Sequence, residues 1–79
     1  MTLKIISAEE ILFEGEVTLV TLPGTLGEFT VLHNHASLIS TLTAGVVKYD
    51  PSAGGHRVEM PVDGGIADID SNVVSVCIY

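Results

Sequence analysis

The chain has no tryptophan, two phenylalanines, two tyrosines, one cysteine and only three basic residues among its 79. Each scarcity excludes a class of protein. A lone Cys77 rules out an internal disulfide framework and suits a reducing compartment. Three Lys and Arg against ten Asp and Glu leave a formal charge of −7. That balance excludes nucleic-acid binding, which depends on cations that neutralise phosphate, and makes an anionic membrane surface unattractive. No apolar run approaches the roughly 20 residues that a membrane span needs, so direct insertion is not expected. The first ten residues carry one lysine and then Glu9-Glu10, which is not the pattern of a secretory signal.

What is present is apolar: 47% of the residues, with a mean hydropathy of +0.51. A chain this short buries only about 60% of the surface its unfolded form exposes. Part of its apolar surface is therefore expected to face another protein, and the acidic balance favours a partner with basic loops.

The stretch from Leu22 to Ile39 organises the rest, with three Gly- or Pro-bearing bends, a short apolar strand and two histidines. Gly24 and Gly27 are expected to supply positive φ at a bend that presents Glu28. Phe29 and Val31, alternating with Thr30, read as a strand buried on one face. Before it, Leu3 and Ile5 alternate with Lys4. Ser7-Ala8-Glu9-Glu10 has the form of a capping box, but the helix it would start must stop by Gly15. Ile11-Leu12-Phe13 is read as a strand, Gly15 as a turn, and Val17 to Leu22 as a β-branched strand.

Further on, Leu38, Ile39 and Leu42 have helix-like spacing while Ile39, Ser40, Thr41 and Thr43 favour strand, and periodicity does not decide so short a run. Val46 to Tyr49 is read as a strand, joined through Asp50 to Gly55 to a hairpin partner at Arg57 to Val62. Pro61 cannot donate to a ladder, which places that partner at an edge. Gly64-Gly65 bends the chain into Ile66 to Ile69. Val73 to Tyr79 closes it as a central strand, since both its faces are apolar. Strands every 8–12 residues between turn signals indicate one all-β domain, a sandwich or barrel, over residues 1–79.

Chemistry is sparse. His33 and His35 are spaced as a metal pair on a strand, but zinc needs three or four ligands, and Asn34 between them favours a turn. His56 falls in a hairpin loop. No serine lies in a nucleophile elbow, and Cys77 is expected to be buried and inert. Asp68 and Asp70 share a strand face, most simply a solvated one. The glycines form no phosphate-cradling loop. The expectation is no catalytic residue, no metal and no cofactor. The alternative is a free-standing small β-barrel that binds a metal or small ligand through His33, His35 and Glu28.

A family resemblance is carried by Ser7-Ala8-Glu9, Phe13, Gly15, Pro23-Gly24, Gly27-Glu28-Phe29, His35-Ala36, Leu38-Ile39, Gly45-Val46-Val47, Gly64-Gly65-Ile66 and Asn72 to Val76. In that order and spacing the chain resembles the epsilon subunit of the bacterial rotary ATP synthase. The resemblance implies a ten-stranded β-sandwich and a non-catalytic rotor role, between the gamma subunit and the membrane c-ring. It implies a ring-facing loop at Gly27, Glu28 and Phe29, and a gamma-facing set at Ser7, His35 and Ser40. It also implies a peripheral position on the cytoplasmic face of the bacterial plasma membrane. Ser37 stands where family members often carry proline. Most members continue into a C-terminal helical hairpin that brakes hydrolysis and in some binds ATP; the chain stops at Tyr79, so no ATP binding is expected of it.

Overall fold

The computed structural model describes residues 1–79, which form eight β-strands and no helix. In chain order they are β1 (Thr2–Ile6), β2 (Ile11–Gly24), β3 (Gly27–Leu32), β4 (Leu38–Leu42), β5 (Gly45–Pro51), β6 (Val58–Val62), β7 (Gly65–Asp70) and β8 (Val73–Ile78). The strands number eight rather than the ten that the resemblance implies, and β2 runs unbroken for 14 residues through the position read as a turn, joining two of the expected strands into one. Gly15 does not bend the chain. It pairs with Leu3, and its missing side chain leaves room for the Phe13 ring, which lies 3.1 Å from where a Cβ would stand.

A straight strand of that length would span about 45 Å, at roughly 3.3 Å per residue. The longest dimension of the molecule is 27 Å, so β2 must bend. It does so at a register shift between Val17 and Leu19, where Thr18 is the extra residue. Up to Glu16, β2 pairs with β1; beyond it, β2 pairs with β3 and β5. One layer is thus the first half of β2 with β1, β8, β7 and β4, and the other is β3, the second half of β2, β5 and β6. β2 touches β4 again through Gly24 and Leu42. The expected central place of β8 holds, between β1 and β7, and the Pro61 strand lies at an edge.

Between the layers sits a cluster of 14 buried apolar residues, among them Leu3, Ile5, Val20, Leu22, Val31, Ile69, Val74 and Val76. Phe13 from the first layer meets Tyr49 from the second, with ring centroids 4.4 Å apart. Such interiors are close-packed, so a missing methyl group leaves a void. Leu22→Ala should therefore cost roughly 2–5 kcal/mol by urea unfolding. A loss under about 1 kcal/mol would show that this core collapses around the gap.

One correction follows from the strict period of two. Cys77 is exposed, because Val74 and Val76 take the inward positions of β8 and Cys77, the next residue after Val76, therefore faces out. The Ser7–Glu10 segment starts no helix, in keeping with the strand read at Ile11-Leu12-Phe13. The Ser7 hydroxyl accepts from the backbone N–H groups of Glu9 and Glu10, at 3.4 and 3.3 Å, in the manner of an N-cap, but the chain turns straight into β2.

Two carboxylates tie strands together at the surface. Glu16 accepts from the Thr2 hydroxyl at 2.6 Å and from the Met1 ammonium at 3.2 Å, and these bonds hold its carboxyl below the usual range. The Arg57 guanidinium grips Asp50 with two bonds, at 2.7 and 3.1 Å, with the same effect on that carboxyl. A carboxyl whose pKa falls on folding stabilises the fold above its unfolded pKa, and that contribution is lost as pH drops through the folded value. Urea midpoints should therefore decline as pH falls below the ordinary values of 4.5 and 3.8. The double variant Glu16→Gln, Asp50→Asn should show a flatter decline; an identical slope would remove these two groups as its source.

Candidate functional site

Strand registers place the outward side chains of the first layer in rows. Thr41 pairs with Ile66, Ile66 with Cys77, Cys77 with Ile6, and Ile6 with Ile11. This row crosses five strands and is almost wholly apolar, with Ile11 56% and Ile66 45% exposed. The next row, Ile39, Asp68, Ser75, Lys4 and Glu14, is mixed, and so is the third, Asp70, Val73, Thr2 and Glu16. The outer face thus has an apolar margin on one side and an acidic field on the other. Asp68 and Asp70 lie together in that field, without an ion pair.

The apolar row ends at Thr41, and Thr41 holds the β2–β3 hairpin tip. The Thr25 N–H donates to the Thr41 carbonyl at 3.0 Å, the two hydroxyls meet at 2.8 Å, and the Thr43 N–H reaches the Pro23 carbonyl at 2.9 Å. Gly27 has the expected positive φ, 131°, but Gly24 does not. Gly24 is there for a close approach: a Cβ would stand 2.7 Å from the Gly27 carbonyl oxygen and 2.9 Å from the Phe29 ring. Gly27 and Glu28 are exposed, whereas Phe29 is half-buried and packs on the core, so it supports the tip from below. Glu28 is not solitary; the Lys48 Nζ lies 3.9 Å from its carboxylate.

Ser7, His35 and Ser40 do not converge. Ser7 follows Ile6, at the end of the apolar row. His35 lies beyond the opposite end of the layer, in the β3–β4 loop before Leu38. Ser40 pairs with buried Ala67 and is half-buried on the inner side of β4. The histidine loop is clasped to the β7–β8 turn. Asn34 and Asn72, at φ of 63° and 62°, exchange bonds: the Asn34 N–H to the Asn72 side-chain oxygen at 2.6 Å and the Asn72 amide to the Asn34 oxygen at 3.0 Å. The Ser37 hydroxyl donates to Asp70 at 2.6 Å, so a hydrogen bond tethers this bend to β7. The His35 Nδ1–H donates to the Ala36 carbonyl at 2.7 Å. No group of three or more His, Cys, Asp or Glu side chains is arranged to hold a metal ion, so His33, His35 and Glu28 form no common site.

The row, the clasp and Thr41 are invisible in the sequence, because each joins residues from strands far apart in the chain. Only the alternation of Ile66 with Asp68 hints at an outward apolar position.

The site is thus a two-layer β domain's outer apolar row together with a braced hairpin tip. The chain belongs to the ATP synthase delta/epsilon chain β-sandwich family, whose model matches residues 1–78. It is 41% identical over 76 residues to the ATP synthase epsilon chain of Campylobacter lari, covering 96% of this chain and 58% of that one. It is 40% identical over 76 residues to the Bordetella petrii epsilon chain, covering 96% and 53%. The chain thus spans a little over half the length of these curated relatives. Its fold is shared with a chain of the Euglena gracilis mitochondrial ATP synthase OSCP/F1/c-ring structure, at a TM-score of 0.87 and 23% identity over 96% of this chain and 48% of that one. A chain of the Tetrahymena thermophila mitochondrial central stalk and c-ring matches at 0.81 and 12% identity, over 99% and 62%.

Proposed function

We propose that this chain is a non-catalytic rotor component of a rotary ATP synthase. It docks between the gamma subunit and the membrane c-ring, on the cytoplasmic face of the plasma membrane, and couples ion-driven rotation to ATP synthesis. The observation that carries this reading is the outer apolar row from Ile11 to Ile66, which ends at the braced tip bearing Glu28. An apolar strip meeting an acidic tip suits a molecule that grips two partners at once, one by buried area and one by charge. On this reading gamma lies along the row from Ser7, and basic loops of the ring meet Gly27 and Glu28.

Affinity capture of the tagged chain from native membranes tests the proposal. Recovery of the synthase head and ring subunits together is the expected result. Capture of unrelated proteins, with the synthase left in the unbound fraction, would overturn it.

A further inference from the structure

Leu26 is the apolar residue that the fold does least to hide. At the outermost position of the β2–β3 tip it is 103% exposed, against 68% for Ile39 and 56% for Ile11. Nothing in the domain covers it, and yet the loop beneath it is braced on both sides. Thr25 is bonded to Thr41 through backbone and hydroxyl, Pro23 accepts from Thr43, and Gly24 sits against the Gly27 carbonyl and the Phe29 ring. A leucine on a stiff two-residue turn loses little conformational freedom when a partner covers it, which is the condition for an effective anchor. Two residues on, Glu28 supplies a carboxylate at the rim, held by Lys48.

We propose that Leu26 is the apolar anchor of the tip. It seats in a recess on a c-ring loop beside a cationic side chain, which Glu28 engages at the rim. The inference rests on the ring-facing reading of the tip and adds to it the residue that sets affinity. The charge selects a protein loop over a lipid surface: a chain of net charge −7, with Glu28 beside the leucine, is repelled by anionic headgroups. The division of labour is the usual one at interfaces, in which a central buried anchor fixes the off-rate and a rim charge steers the encounter.

The test uses the assembled head-and-stalk complex containing this subunit and purified c-ring in nanodiscs, with ring-free nanodiscs of the same lipid alongside. Leu26→Ser touches no packed side chain, so the domain stays folded, and its dissociation from the ring should speed about tenfold or more. Glu28→Lys should weaken ring binding in a salt-dependent way, and ring-free discs should bind neither variant nor parent above background. If Leu26→Ser binds the ring like the parent while Glu28→Lys is impaired, the anchor is wrong and the ring-facing reading stands. If both bind like the parent, the ring-facing reading fails and the anchor fails with it. If ring-free discs bind the parent and lose Leu26→Ser equally, the leucine meets lipid and the proposal is overturned.

Discussion

Gly65→Ala should leave this domain unfolded. At Gly65 the chain adopts a φ of 153° as it enters β7, and a Cβ there would overlap the Cys77 carbonyl oxygen and stand 3.0 Å from the Ile78 Cα. Both atoms are backbone of the neighbouring central strand, so neither swings aside as a side chain would. Relief requires β7 and β8 to part, and with them the pairing that carries Ala67, Ile69, Val74 and Val76 in the core. A domain of this size has a total stability of about 4–12 kcal/mol, at roughly 0.05–0.15 kcal/mol per residue. Splitting its central pair removes most of that. Gly54 is the control: its φ is also positive, at 92°, but nothing lies within 4 Å of a Cβ there. Gly54→Ala should cost only about 1–2 kcal/mol of backbone strain and keep the fold. Dispersed amide NMR spectra decide between the two. A folded Gly65→Ala with a Tm within a few degrees of the parent would contradict the β7–β8 geometry.

The second large effect is on association. Ile66→Lys places an ammonium in the middle of the apolar row, between Thr41 and Cys77. The site is 45% exposed in the free domain, so the lysine stem can lie along the surface and hold its charge in water. The Tm should move by no more than a few degrees. Where the proposed stalk contact covers the row, the same charge is buried in an apolar interface, which costs far more than the lost isoleucine contact. Retention of the subunit by the stalk should fall about a hundredfold, measured by gel filtration of the reconstituted complex. Retention equal to that of the parent would mean that the row faces solvent in the assembly too.

Much of this architecture was legible in the chain, for local reasons. Alternation located Leu3 and Ile5, Val74 and Val76, and the edge position of Pro61 follows from its missing N–H. Failures arose where a local signal was answered by a distant partner. Gly15 reads as punctuation, yet it lies within β2 paired with Leu3 of β1, where its missing side chain leaves space for the Phe13 ring. Cys77 lies in an apolar run, and only the inward demand of Val74 and Val76 shows that it faces out. At the candidate site the position of Glu28 on a glycine-set tip was readable. Its Lys48 neighbour and the Thr25–Thr41 brace were not, because strand register across the sheet is set by the fold.

Cys77 offers the most direct measurement of the central claim. It is the only cysteine, it is exposed, and it sits in the row between Ile66 and Ile6. Its alkylation by a maleimide can be timed by mass spectrometry in the free subunit and in the assembled synthase, at one pH. If the outer face is the stalk interface, the thiol should react readily when free and at least tenfold more slowly in the complex. Equal rates in the two states would show that the row stays open to water, and would contradict the docking role assigned to it.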